Sequence, residues 1–293
     1  IFRKYWIIIL LVICIDVIKE YTTGTNFFGF YSNYTGRIAS FTNDELIIGY
    51  IFIIIFLYCF PILKEIINKK YIYFLLFFLI IISFIIGERS NFIKFFIFSI
   101  LNFFIFYSFK NYLKNIITLL ILFIAIFIFF NQTPQYQKIV SNINLSKKFK
   151  DQIYQNRHMP HYFTATKIVM NYPVFGVGLN NFFIESSKEI YSDERFRFND
   201  QRSSTHPHNA HFEIAVDTGL VGYIYFLTLF IFITKEYFKK NYKRYKIYST
   251  NHFFLFLYFI IPILPTGSFF GTVTGTVFWL NLSFLIYFYK NEK

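Results

Sequence analysis

The chain has 293 residues, 55% of them hydrophobic and only 15% charged, and long apolar runs recur along its whole length, which places it among membrane proteins. A net charge of +13 would suit a nucleic-acid binder, but the basic residues sit in short clusters between apolar runs, the pattern of a membrane topology signal, so no nucleic acid is expected as a partner. Cys14 and Cys59 both lie inside apolar runs and give neither a disulfide framework nor a metal site.

The 45 Phe and 24 Tyr fall in the same runs as Ile, between joints rich in Lys and Asn, so compositional bias accounts for them better than stacking platforms for sugars or bases. The sequence starts at Ile1, already close to the apolar run "WIIILLVICI", and the expectation is a piece of a longer protein. The start lacks the charged, apolar and small-residue succession of a cleaved signal peptide.

A crossing helix needs about 20 apolar residues, and about eight segments qualify. They lie near 4–19, 46–63, 71–87, 91–108, 115–130, 212–234, 250–264 and 268–289. The seventh is short and ends at "PILP", where Pro262 and Pro265 restrict helix continuation. The expected fold class is therefore all-α, a polytopic membrane protein with one large extracytoplasmic loop that carries short helices.

Orientation follows from the joints. With a cytoplasmic N-terminus, the inner joints hold Arg3 and Lys4, then Lys64, Lys69 and Lys70, then Lys110 and Lys114, the run "KEYFKKNYKRYK" from Lys235, and Lys290 with Lys293. Nearly the whole net charge then falls inside, and both termini of the chain are cytoplasmic. The expected organisation is N-terminal membrane helices over 1–130, a large loop over 131–211 and C-terminal membrane helices over 212–293, together one membrane domain. In the loop, "HYFTATKIVMNY" reads as a short amphipathic helix, "PVFGVGLNN" as a Pro-Gly turn and "FFIESSKEI" as a second short helix.

Several features can carry chemistry. Gly176 and Gly178 in "GVGLNN" lack the third glycine of a dinucleotide fingerprint and the Gly-Lys-Ser/Thr of a phosphate loop, so a tight turn is the better reading. His206, His208 and His211 could share a cation, but Pro207 separates the first two and the available carboxylates, Glu213 and Asp217, lie deeper in the following helix; a metal-free role is expected. Glu88 and Arg89 sit in a hairpin between two apolar helices, where an arginine needs a cavity or partner unless it snorkels to lipid head groups. Arg157 precedes the amphipathic helix and Arg37 the second crossing.

All three arginines fall on the extracytoplasmic side, beside the histidines. Guanidinium groups stay charged and grip phosphate with a bidentate fork, while an imidazole can accept a hydroxyl proton near neutral pH. Together they fit glycosyl transfer from a polyprenyl-pyrophosphate sugar to an alcohol, with the arginines neutralising the leaving group.

The same residues carry a family likeness. The chain resembles the O-antigen ligase and O-antigen polymerase superfamily of bacterial envelope glycosyltransferases through "GRIASFTNDELIIGY", "GERSNF", Arg157 with its helix and "NYPVFGVGLNNF", then "HPHNAHFEIAVDTGLVG" and "PTGSFFGT". The resemblance implies His208 as the catalytic position and Arg89, Arg157 and Arg37 as pyrophosphate ligands. His206 is a supporting residue, and Asn209 is expected to cap the next helix and aim His208 at the mouth of a membrane cavity. Glu213 and Asp217, four apart on one face, either orient the imidazole or acceptor or serve as helix-start acids; Arg202 is a candidate contact to sugar or phosphate.

The implied donor is an undecaprenyl-pyrophosphate-linked glycan and the implied acceptor either lipid A core or another lipid-linked glycan, at the periplasmic face of the inner membrane among its lipids, with no metal or cofactor. Ligase and polymerase are not separated by these residues. Family members usually carry around a dozen crossings, more than the segments counted above. The rivals are a transporter or flippase for polyprenyl-linked glycans, which would spread charges through helix centres and show inverted repeats, and a scaffold whose loop binds proteins.

Overall fold

A computed structural model describes residues 3–45, 47–106, 121, 124, 128, 130–140, 153–241, 246–261 and 264–291. The described residues are helical with irregular joints and contain no strand. The elements are α1 (Arg3–Thr23), α2 (Ile48–Ile66), α3 (Lys69–Ile86), α4 (Arg89–Phe106), α5 (Pro134–Val140), α6 (Met159–Asn171), α7 (Phe182–Ser186), α8 (Ala210–Asn241), α9 (Ile247–Ile260) and α10 (Thr272–Asn291). They form two compact units, one of residues 1–144 with 250–254, the other of residues 145–249 with 255–293.

In the first unit α2 is apolar on every side, and such a helix has no face to give to water, so it becomes the centre of the packing. Its residues from Phe52 to Leu63 are buried against α1, α3 and α4. Aromatic rings fill the seams: Phe95 of α4 meets Phe52 and Phe56 at 5.2 and 4.6 Å, and Trp6 of α1 stacks on Tyr58 at 5.0 Å. The other end of α1 is polar. There the Glu20 carboxylate accepts the Ala39 and Ser40 amides and Asp16 accepts the Ser40 hydroxyl and the Phe27 amide, which ties the irregular 24–40 segment to the helix.

In the second unit α6, α7 and the start of α8 share a core of Ala165, Ile168, Phe182, Tyr191 and Val216. The helix–turn–helix reading of "HYFTATKIVMNY", "PVFGVGLNN" and "FFIESSKEI" corresponds to α6, an irregular turn and α7 followed by a single helical turn at Glu189–Tyr191. Among the described residues three helices are long and apolar enough to cross a membrane, Ile48–Ile66, Ala210–Lys239 and Thr272–Asn291, and Tyr71–Ile86 and Ile247–Ile260 are shorter apolar helices. The segment near 115–130 and Pro262 fall largely or wholly outside the described residues.

One expected crossing differs in form. The run at 212–234 is no single straight span: α8 starts at Ala210 and breaks at Gly219, whose φ of 65° and ψ of −171° are not helical. Residues before the break are mostly buried, while beyond it Leu220, Val221, Ile224 and Tyr225 are exposed. The break separates a packed polar-ended segment from an apolar one.

Candidate active site

The site residues of the first unit gather where the chain makes two close passes. Gly87 has φ +77°, and a Cβ there would collide with the Gly36 carbonyl oxygen; Ile38 donates from its amide to the Ile86 carbonyl at 3.1 Å. These contacts bring Arg37 beside the α3–α4 hairpin. The Glu88 carboxylate accepts the Gly49 amide at 2.9 Å and the Asn91 side-chain amide at 2.5 Å, and lies 3.5 Å from the Arg37 guanidinium.

Glu88 is thus used by the fold. It caps the first turn of α2, where amides lack helical partners and the helix dipole favours an anion. Burial raises its pKa, opposed by the Arg37 charge and by the Gly49 and Asn91 bonds. Arg89 is half-buried and begins α4 directly after it.

The histidines belong to the second unit. Pro207 is buried and His208 takes a left-handed backbone with φ +55°, a conformation uncommon for a residue with a side chain. Asn209 then caps α8: its side-chain oxygen accepts the His211 amide at 3.0 Å and its carbonyl accepts the Glu213 amide at 2.9 Å. The Thr266 amide bonds the His208 carbonyl at 2.9 Å, so the backbone is held on both sides of the imidazole.

Around His208 lie three other imidazoles, with ring centroids at 4.3 Å for His206, 4.9 Å for His161 and 5.4 Å for His158. Pro207 separates His206 from His208 along the chain, but the left-handed turn at His208 folds the two rings together. His158 and His161 were missed. Three apart at the start of the amphipathic helix, they share one of its faces, and that spacing was the available signal.

The third histidine of the motif goes elsewhere. His211 donates from Nε2 to the Ile260 carbonyl at 2.8 Å and its Nδ1 meets the Tyr223 hydroxyl at 3.0 Å, so it joins helices of its own unit instead of the cluster. Among the described residues no group of three His, Cys, Asp or Glu side chains is arranged to hold a metal ion.

Burial sets the proton affinities. The His208 pKa is pushed down to about 3, first by burial and then by the neighbouring imidazoles, and that of His206 to about 4 by burial above all. His161 is lowered by burial against the help of the Arg202 carbonyl, to which its Nδ1–H donates at 3.1 Å. Near neutral pH His208 and His206 are uncharged, and a neutral imidazole offers one ring nitrogen as a proton acceptor. Tyr162, stacked on Phe212 at 5.2 Å, has its pKa pushed up to about 12 by burial and keeps its proton.

The arginines of this unit divide. Arg157 is exposed, lies with its guanidinium 5.4 Å from the Phe198 ring, and has no carboxylate partner among the described residues. Arg202 is buried, pairs with Glu189 at 3.2 Å and bonds the Ser187 and Asn199 carbonyls at 3.4 Å. It holds loops together while its own carbonyl fixes His161.

Glu213 and Asp217 are likewise turned to backbone. Glu213 accepts the Ser268 hydroxyl at 2.5 Å and the Phe269 amide at 2.6 Å, which brings "PTGSFF" onto α8. Asp217 accepts the Asn180 amide at 2.9 Å. The turn carrying Asn180 is laced to the broken part of α8 by amides of Val177, Gly178, Leu220 and Val221 bonding the carbonyls of Val216, Asp217, Pro173 and Val174. The two longest sequence motifs are therefore halves of one structure.

A family model described as O-antigen ligase matches residues 74–227. Neither a curated protein nor a solved structure matches the chain.

Proposed function

The chain belongs to the O-antigen ligase family, a membership that implies lipid-linked glycan substrates in general, and from that premise we propose a membrane glycosyltransferase that moves a glycan from undecaprenyl pyrophosphate to an acceptor hydroxyl. The acceptor is lipid A core for a ligase or another lipid-linked repeat for a polymerase. The reaction takes place at the periplasmic face of the inner membrane, with about eight crossings, residues 131–211 as the periplasmic loop between the membrane segments 1–130 and 212–293, and both termini of this chain cytoplasmic. The uneven distribution of Lys and Arg supports that orientation.

One observation carries the reading: a half-buried imidazole, His208, is fixed in direction by a left-handed backbone and a helix cap beside three further imidazoles. The acceptor oxygen forms the new bond to the anomeric carbon while the bond from that carbon to the pyrophosphate oxygen breaks. The electron pair of the broken bond leaves with undecaprenyl pyrophosphate, and the acceptor proton passes to His208. Arg157, Arg89 and Arg37 bind and neutralise the diphosphate, and neither metal nor cofactor is required.

At rest, His208 is too weak a base for efficient transfer, because a useful general base has a pKa near the working pH. A bound diphosphate would stabilise the imidazolium and lift that pKa, which couples base strength to donor binding. His206 and His161 keep the ring in place, Arg202 acts through His161, and Asn209, Glu213 and Asp217 hold the helix start and its neighbours.

The test is reconstitution of the full chain in proteoliposomes with an undecaprenyl-pyrophosphate oligosaccharide. Product on lipid A core identifies a ligase and product on a second lipid-linked repeat a polymerase. His208→Ala abolishes transfer while donor binding persists. Movement of the donor across the bilayer with no product on either acceptor would replace the enzyme by a carrier.

A further inference from the structure

The second unit exposes apolar side chains where a loop bathed in water would bury them. Met170, Val174, Phe175, Phe183, Ile184 and Ile190 all stand out from the segment 170–190, with Phe175 76% and Ile190 67% exposed. The segment is not short of a core, since Phe182 is buried in it and packs with the adjoining Tyr191 and Ile168. Its inner face is satisfied while large apolar side chains stand outward beside the exposed Asn180, Asn181, Lys188 and Glu189, the mixture of apolar and polar groups found in elements that lie in a membrane interface.

The position of this face is fixed relative to α8. The Leu220 amide bonds the Pro173 carbonyl at 2.8 Å and the Val221 amide the Val174 carbonyl at 3.3 Å. Gly176 and Gly219 approach too closely to admit a side chain on either. The exposed Val174 and Phe175 are therefore level with Leu220 and Val221, where the outward apolar stripe of α8 begins and continues through Ile224 and Tyr225. That stripe belongs to a helix long and apolar enough to span a bilayer, so its exposed side faces acyl chains.

We propose that the 170–190 segment rests in the outer interface of the bilayer, with Phe175, Phe183 and Ile184 inserted among phospholipid acyl chains. Continuity with the apolar stripe of α8 selects lipid as the occupant over a partner protein or a second copy. The Pro173–Gly178 turn then fixes the depth of the unit in the membrane, and its backbone lacing to α8 makes that depth a rigid property of the fold. This goes beyond the proposed reaction and does not depend on it.

A nitroxide scan of the full chain in phosphatidylethanolamine and phosphatidylglycerol liposomes tests it. Cys14 and Cys59, both buried, are replaced by Ser, and single labels are placed at Phe175→Cys, Phe183→Cys, Ile184→Cys and, as an aqueous reference, Gln201→Cys. Labels at 175, 183 and 184 should collide several-fold more often with molecular oxygen than with a water-soluble nickel chelate, relative to 201. Collision with the chelate as frequent as at 201 would place the face in water and overturn the proposal. Shielding from both reagents would overturn it equally, because it would mean cover by protein. Unfolding temperatures of the labelled variants, compared with the unlabelled chain, identify any label that disrupts the fold, and the remaining positions decide.

Discussion

Gly176 and Gly219 lie backbone against backbone, each with positive φ: a Cβ on Gly176 would come within 2.6 Å of the Gly219 nitrogen, and one on Gly219 within 2.6 Å of the Gly176 nitrogen. Gly176→Ala or Gly219→Ala must break this contact and also force a side chain into a left-handed conformation. Each is expected to cost about 3 kcal/mol or more, the combined effect of strain and lost backbone bonds. Gly178→Ala should cost less, since its Cβ would meet only the movable Asn181 amide. Thermal unfolding in detergent gives the order, and equal losses at all three would refute the close packing.

Glu88→Ala removes a buried carboxylate that accepts the Gly49 amide and lies beside the partly buried Arg37 guanidinium. The expected loss is about 2–4 kcal/mol. Glu88→Gln keeps an acceptor for the amide and loses only the charge, so it should fall between the variant and the native chain in the same unfolding assay.

Acid should destabilise the second unit by a defined route. The pKa values of His208 and His206 in the folded chain, about 3 and about 4, lie below the ordinary 6.5. The unfolded chain therefore binds more protons throughout that window, and stability present above pH 6.5 is lost as the pH falls toward 4 and 3. Unfolding temperatures from pH 7 to pH 4 should fall more steeply for the native chain than for His206→Gln. Parallel curves would show that the ring is not held neutral.

Arg157→Ala should leave stability within about 0.5 kcal/mol, since the side chain is exposed. Transfer from the pyrophosphate donor should nevertheless fall by roughly 100-fold in kcat/KM, the scale of losing a charge that faces a departing anion. Arg157→Lys keeps the charge without the bidentate fork and should recover only part of it. Full activity of Arg157→Ala would remove this residue from the site.

Some of this was legible in the sequence because it depends on neighbours along the chain. The helix in "HYFTATKIVMNY" follows from its 3.6-residue periodicity, the hairpin at Gly87 from a lone glycine between apolar runs, and the cap at Asn209 from a residue type that competes for amides at helix starts. The convergence of His158 and His161 on His208 was not legible, because it depends on how the loop closes and on a backbone sign at His208 that histidine does not advertise. The break at Gly219 was hidden as well, since one glycine in an apolar run is tolerated by a helix, and only the incoming Pro173–Gly178 turn makes it a break. The uses of Glu88, Glu213 and Asp217 as acceptors for distant amides belong to tertiary structure alone.

The left-handed backbone of His208 sets stability against activity at one position. Asparagine or glycine adopts that conformation more easily, so His208→Asn or His208→Gly relieves roughly 1 kcal/mol of strain while deleting the imidazole. A search for more heat-resistant versions of this protein would therefore be drawn toward changes at the residue on which the proposed chemistry depends, and an inactive variant that melts later than the parent would show that the fold invests part of its stability in aiming that ring.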